Sequence, residues 1–173
     1  NHRFSSVRAA SVGPASPTRR LAEGVGFLSE DRKREGLAEN LSLAENLTLS
    51  KLPWLVLPAR RRAAAQRFID RLGIRTSGPD QPVRDLSGGN QQKLIIAREI
   101  KSDPDLLIVG QPTRGVDIGA IEFIHKRIIQ LRDEGKAVLL VSVELDEIRS
   151  LSDRILVMFA GRVMGERGPE ADE

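Results

Sequence analysis

A short glycine-rich stretch at residues 86–93 carries the residue types best suited to bind an anion. Ser87 stands at the N-cap position of a helix predicted over residues 91–101, and Gly88 and Gly89 lie just inside it. Glycines let a ligand approach the backbone closely, and the free N–H groups of a first helical turn attract anions. On its own, the stretch fits a phosphate-binding turn and an ordinary capped helix equally well.

Three further stretches stand in a fixed order around this turn. Upstream, residues 30–37 read Glu-Asp-Arg-Lys-Arg-Glu-Gly-Leu and residues 44–47 read Ala-Glu-Asn-Leu. Downstream, a buried strand predicted at residues 106–109 leads into Pro-Thr-Arg-Gly-Val-Asp at residues 112–117. The set is more specific than any one stretch, because all of them have to agree in order and spacing.

This order and spacing resemble the segment of ATP-binding cassette (ABC) ATPases that runs from the signature to the Walker B strand. The upstream stretches resemble the second cassette of the fused ATPase subunits that drive bacterial sugar and nucleoside importers. The resemblance covers roughly residues 15–166. It implies an α/β chain with a partial P-loop NTPase (ABC ATPase) fold, in which a mostly parallel sheet is joined to a helical subdomain. It also implies ATP and Mg²⁺ as ligands.

The resemblance assigns roles to individual residues. Two ABC cassettes pair head to tail, so the signature of one completes the ATP site of the other. The positions expected to bind ATP in trans, here called the signature turn, are Ser87, Gly88, Gly89, Asn90 and Gln91. Glu30 falls where most of the family carries the glutamine of the Q-loop, and Asp117 falls at the aspartate of the D-loop.

The hydrolytic positions depart from the family pattern. An active site needs an aspartate that holds Mg²⁺ through water, a glutamate that polarises the attacking water and a histidine that steadies the γ-phosphate. The matching residues here are Gly110, Gln111 and Val143. None of them carries a carboxylate or an imidazole. We therefore expect a degenerate site that does not hydrolyse ATP and holds no metal, with ATP and Mg²⁺ held mainly by a partner cassette.

The motif of the phosphate-binding loop, G-x-x-x-x-G-K-[ST], does not occur in the sequence. That loop supplies backbone N–H groups and a lysine to the phosphates of ATP. We expect a cassette truncated ahead of the signature. Its sheet should leave apolar surface uncovered where the strand and helix of that loop would pack.

Structural roles compete with these functional ones. Asp117 also suits the N-cap of a helix predicted at residues 118–134. Glu30 and Asp31 suit a loop in which they cap or pair with the basic residues at 32–34 about as well as they suit catalysis.

Two other features are predicted to be structural. His125 has no cysteine or carboxylate cluster near it in sequence, so we expect a structural or exposed histidine rather than a ligand. The apolar residues 54–57, bracketed by Pro53 and Pro58, are predicted to form a connection packed on the helical subdomain. A contact with a membrane partner is the alternative for that stretch.

Hydrophobic periodicity and turn residues predict the remaining elements. These are a strand at 24–28, short helices at 41–49 and 144–151, a helix at 59–72 closed by Gly73, a buried strand at 137–141, and a hairpin of 155–159 and 162–165 around Ala160-Gly161. The predicted organisation comprises a poorly defined segment at 1–20, a Q-loop-like and helical signature part at 21–103, an α/β core from Walker B to the H-loop at 104–168, and a tail at 169–173.

Composition argues against other classes of protein. The 27 Lys and Arg residues are nearly balanced by 24 Asp and Glu, with no Tyr and one Trp, so nucleic-acid binding is not predicted. The chain has no cysteine for disulfides or thiolate metal sites, and no apolar run approaches the roughly 20 residues of a membrane span.

We therefore expect a cytoplasmic protein, peripheral at the inner face of the cell membrane. Its partners would be another ABC cassette, transmembrane permease subunits and, indirectly, a sugar- or nucleoside-binding protein. A truncated cassette that only docks on a permease or partner is the first alternative. A nucleic-acid-associated ABC protein is the second.

Overall fold

The computed structural model describes residues 14–49 and 57–170. In chain order the elements are α1 (Pro17–Ala22), β1 (Val25–Leu28), a π-helical turn (Arg32–Gly36), α2 (Leu43–Asn46), α3 (Pro58–Leu72), a 3-10 turn (Val83–Asp85), α4 (Gly88–Lys101), β2 (Leu106–Gly110), α5 (Ile118–Asp133), β3 (Ala137–Val141), α6 (Leu145–Leu151), β4 (Ile155–Phe159) and β5 (Arg162–Arg167). Parts of three predicted segments lie outside the described residues: the N-terminal segment at 1–13, the apolar connection at 54–56 and the tail at 171–173.

A three-stranded parallel sheet organises the chain, in the order β1-β2-β3. Phe27 is paired with Ile108 and Val109 with Leu140, so the carboxyl ends of all three strands meet at one edge. Strands β4 and β5 form a separate antiparallel hairpin that turns at Ala160-Gly161, as predicted. The α/β architecture with a parallel sheet is therefore confirmed, and its first strand comes from the chain ahead of α4.

Caps and glycines end the long helices where the sequence indicated. Helix α3 ends at Gly73, whose φ of 57° is left-handed, and buries Ala65, Ile69 and Leu72 on its predicted face. Helix α4 begins after Ser87, three residues before the predicted run. A left-handed C′ glycine satisfies the last carbonyls at little steric cost, which explains why Gly73 stops the helix there.

The core is built around α4. Four consecutive residues of this helix, Leu94 to Ala97, are buried, so the helix is covered on almost every side. It packs against β1, α3 and α5. The signature turn, which comprises the N-cap and first turn of this helix, is thereby attached to a helix buried in the core.

The prediction that β3 is a buried strand was wrong on one face. Leu139 and Val141 are 49% and 54% exposed, while the alternate residues are half-buried. Successive side chains of a strand point to opposite faces, and only one face of β3 is covered by the described residues. Phe27 on β1 and Met158 and Phe159 on β4 are also exposed. The uncovered apolar surface expected from the sequence is therefore present.

Helix α1 was not predicted. Its signal is local, because Ser16 accepts a hydrogen bond from the N–H of Arg19 and Pro17 occupies the first helical position. A serine followed by proline is a common helix start. The short polar helix was missed because it buries no residue and so shows no hydrophobic periodicity.

Candidate functional site

The signature turn presents a hydroxyl whose acceptor capacity is already used. The Oγ of exposed Ser87 accepts hydrogen bonds from the backbone N–H of Asn90 at 3.4 Å and from the Asn90 side-chain Nδ2 at 2.9 Å. A serine hydroxyl has two acceptor lone pairs and one donor. What remains is the O–H group, which can donate to an anion in front of the first turn of α4.

Two of the five signature residues have their side chains buried. The Oδ1 of Asn90 accepts from the backbone N–H of Arg75 at 3.1 Å, and the Nε2 of Gln91 donates to the carbonyl of Val83 at 3.1 Å. Both side chains are thus used within the chain. They hold the loop before α4 against the helix, and Asn90 also orients Ser87.

The two glycines of this turn have neighbouring atoms so close that little room is left for a side chain. A Cβ at Gly88 would lie 2.7 Å from Nη2 of Arg32, and a Cβ at Gly89 would lie 2.5 Å from Oδ2 of Asp117. Any larger residue would force the arginine or the aspartate away. The signature turn is therefore packed against both the π-helical turn and the start of α5.

The turn at residues 112–117, here called the D-loop turn, lies beside the signature turn. Gly115 has a left-handed φ of 66°, and Asp117 caps α5 by accepting from the N–H of Ala120 at 2.9 Å. The predicted capping role of Asp117 is confirmed. The same carboxylate lies against Gly89, so Asp117 both caps α5 and lies beside the signature turn.

A second group of predicted residues meets at the carboxyl edge of the sheet. Glu30, Gln111 and Val143 line an open cleft of about 710 Å³. Gln111 has a left-handed φ of 45°, and its Oε1 accepts a hydrogen bond from the backbone N–H of Val143 at 3.4 Å. Gly110 lies at the end of β2, where a Cβ would be 3.3 Å from the N of Glu30.

The chain matches the family described as ABC transporter over residues 7–114, more than half of its length. It belongs to that family. It is 48% identical over 162 residues to the nucleoside import ATP-binding protein NupA of Lactococcus lactis subsp. cremoris, a match that covers 89% of this chain and 32% of that protein. It is 45% identical over 162 residues to the guanosine import ATP-binding protein NupO of Bacillus subtilis, covering 90% of this chain and 32% of that protein.

A putative ribose/galactose/methyl galactoside import ATP-binding protein of Burkholderia ambifaria is 45% identical over 166 residues, which cover 92% of this chain and 32% of that protein. The chain therefore spans about a third of the length of the curated relatives that it matches.

The fold of this cassette is also seen in solved structures. The dimeric post-hydrolysis state of the ATP-binding cassette MJ0796, bound to ADP and Pi, has a TM-score of 0.74 at 23% identity over 92% of this chain and 70% of that one. A second dimeric structure of MJ0796 has a TM-score of 0.73 at 24% identity, over 90% and 67%. These similarities confirm the predicted cassette fold.

Glu30 faces the cleft of the cassette and takes no part in capping. Asp31, not Glu30, caps the π-helical turn by accepting from the N–H of Arg34 at 3.1 Å, and it also pairs with the Arg34 side chain at 3.9 Å. Among residues 14–49 and 57–170, no ion pair involves Glu30, which is exposed. The structural alternative thus holds for Asp31 only.

The sequence did not indicate a buried carboxylate beside the same cleft. Glu147 accepts from the Ser142 hydroxyl at 2.7 Å and lies 3.0 Å from Nε2 of His125. The prediction that His125 is structural fits this contact between α5 and α6. Sequence reasoning missed Glu147 because one of its partners, His125, lies 22 residues away on α5.

The described ranges contain neither a metal-binding cluster nor a membrane-spanning helix. No cluster of three His, Cys, Asp or Glu residues there could hold a metal ion. None of the helices described has the length and apolar character that crossing a bilayer requires.

Proposed function

We propose that this chain is the ATP-binding cassette of a bacterial sugar or nucleoside importer and supplies its signature turn in trans to ATP held by another cassette. The observation that carries the proposal is the Ser87 hydroxyl, whose lone pairs are both occupied by Asn90. Its free O–H and the N–H groups of the first turn of α4 form a set of donors suited to a γ-phosphate.

The residues at the carboxyl edge of this chain's own sheet fit Mg²⁺ poorly. Gly110 has no side chain, and the Gln111 amide oxygen is already bonded to Val143. Neither offers a carboxylate to bind Mg²⁺ or to activate an attacking water. This supports a site that is degenerate in hydrolysis. ATP and Mg²⁺ would then be held mainly by a cassette with a phosphate-binding loop, in the same longer protein or in another subunit.

The relatives suggest the biological setting. Proteins named for nucleoside, guanosine and ribose or galactose import share 43–48% identity with the chain. By this similarity the cassette would act at the inner face of the cell membrane, on transmembrane permease subunits. A sugar- or nucleoside-binding protein would deliver the substrate to that permease.

The test measures the ATPase rate of a cassette with an intact phosphate-binding loop, with and without this protein. Stimulation is expected, and Ser87→Arg should reduce it by roughly 100-fold or more, since the side chain would fill the phosphate position and remove the donor. Ala63→Arg is the matched control, because it adds the same charge on the exposed face of α3. Stimulation by the Ser87→Arg protein equal to that of the wild type would refute the role of the signature turn.

A second candidate is a non-catalytic cassette that only docks on a permease or partner. The exposed apolar residues Phe27, Leu139 and Met158 favour it, because such surface commonly marks an interface. Association that is equally tight with and without Mg-ATP, and no stimulated hydrolysis, would support this candidate over the first.

A further inference from the structure

One arginine links three segments that lie far apart in sequence. The Nη1 of Arg32 donates to the carbonyl of Arg114 at 2.8 Å, and its Nη2 donates to the carbonyl of Gly115 at 3.2 Å. The planar fork of a guanidinium suits two carbonyls of consecutive residues, whereas an ammonium has no such fixed geometry. Arg32 therefore sets the position of the D-loop turn relative to the π-helical turn.

The same guanidinium also lies against the signature turn. A Cβ at Gly88 would be 2.7 Å from Nη2 of Arg32 and 3.0 Å from the carbonyl oxygen of Gly115. The π-helical turn, the D-loop turn and the signature turn thus meet at one point. A displacement of Arg32 would reach the start of α4 through direct contact.

Stability alone does not account for this arrangement. The Nε of Arg32 is buried and has no hydrogen-bond partner among the described residues, and none of their carboxylates pairs with the side chain. Its positive charge also stands beside the positive end of the α4 dipole. An unsatisfied buried donor costs free energy and is often retained for a functional reason.

We propose that Arg32 is a positioning residue of the composite ATP site, holding the D-loop turn and the signature turn in a fixed relation. The proposal rests on the proposed function, because it gives Arg32 the task of keeping Ser87 and Asp117 in register toward the partner's ATP.

The first experiment compares Arg32→Gln and Arg32→Lys in the stimulated ATPase assay with a loop-bearing cassette. Both variants should lower the stimulated kcat by roughly 10- to 100-fold, because misplaced groups lose most of their effect, while the KM for ATP changes little. Lys33→Gln, which removes a charge from the same turn, should behave as wild type. Full activity of Arg32→Lys would overturn the proposal, since charge alone would then suffice.

The second experiment needs no partner and separates the two hypotheses. Gly88→Ala is introduced into the wild type and into Arg32→Ala, and the urea midpoint of unfolding is measured for all four proteins. The added methyl should lower the midpoint more when Arg32 is present, because the guanidinium occupies its space. If the two substitutions change the midpoint additively, Arg32 and Gly88 are not in contact, and the proposal is overturned. Absence of stimulation by the wild type overturns the proposed function and the positioning role of Arg32 with it, whatever the four midpoints show.

Discussion

The side-chain oxygen of Gln111 accepts a hydrogen bond from the backbone N–H of Val143 at 3.4 Å. By its resemblance to the family, the sequence predicts that these residues stand where an active cassette carries a glutamate and a histidine. Gln111 is held in a left-handed conformation by the turn after β2, and its N–H donates to the carbonyl of Val141 at 2.8 Å. The side-chain amide is thus held against the turn that follows β3, and it has no basic group to offer to water.

Restoring the glutamate alone should not restore hydrolysis. Gln111→Glu supplies a carboxylate, but Gly110 still offers no ligand and Val143 no imidazole. The ATPase rate of the isolated protein, measured as phosphate release, should remain at the level of Gln111→Ala. A rate about tenfold or more above that control, equivalent to ~1.4 kcal/mol in the barrier, would contradict the assignment of a degenerate site.

The packing at Gly89 predicts a large difference between two glycine substitutions in neighbouring helices. Gly89→Ala would place its methyl 2.5 Å from Oδ2 of Asp117 and 2.9 Å from Cβ of Ala120, and should cost about 1–3 kcal/mol of stability. Gly119→Ala is the control, since its Cβ would meet only Oδ1 of Asp117 at 3.4 Å. It should be neutral or stabilising by up to about 1 kcal/mol, as expected for alanine in a helix. Urea unfolding of both variants tests this, and equal midpoints would contradict it.

The capping box of α2 predicts an acid-sensitive contribution to stability. The Ser42 hydroxyl and N–H both donate to Glu45, and these hydrogen bonds lower the pKa of that carboxyl below its ordinary value of 4.5. A lowered pKa in the folded state means that the unfolded state binds more protons in acid. The stabilisation is therefore complete above pH 4.5 and is lost as pH falls through the folded pKa.

Ser42→Ala should accordingly destabilise the protein by about 1 kcal/mol at neutral pH, the usual cost of losing an N-cap. Its difference from the wild type should shrink well below pH 4.5, because Glu45 is then protonated in both proteins. Ser150→Ala, in the last turn of α6, is the control. A difference between Ser42→Ala and the wild type that stays constant across this pH range would show that the carboxylate contributes nothing.

The hairpin of β4 and β5 predicts a stabilising substitution. Ala160 and Gly161 both have left-handed φ angles, 47° and 76°, and together form its two-residue turn. Asparagine tolerates this conformation better than alanine, so Ala160→Asn should stabilise the protein by roughly 0.5–1 kcal/mol. Gly161→Ala should have the opposite effect. Thermal unfolding of the two variants measures both, and a lower midpoint for Ala160→Asn would disprove this account of the turn.

Local features of the fold could be predicted from the sequence because their causes lie within a few residues. Ser87 and Asp117 cap the helices that follow them, Gly73 ends α3, and Ala160-Gly161 turns the hairpin. The order of the motifs likewise indicated the ABC family and the α/β fold. The caps, the helix end and the hairpin turn each depend on hydrogen bonds between near neighbours or on the conformational freedom of a single residue.

Tertiary structure alone decided which distant residues meet and which faces are covered. Arg32 reaches carbonyls 82 and 83 residues away, and Gln111 reaches Val143 only because β2 and β3 lie side by side. Whether each face of β3 is buried depends on which other elements pack against it, and the described residues cover only one face. No local pattern encodes these contacts, because parallel strands and packed helices bring together side chains whose separation along the chain is arbitrary.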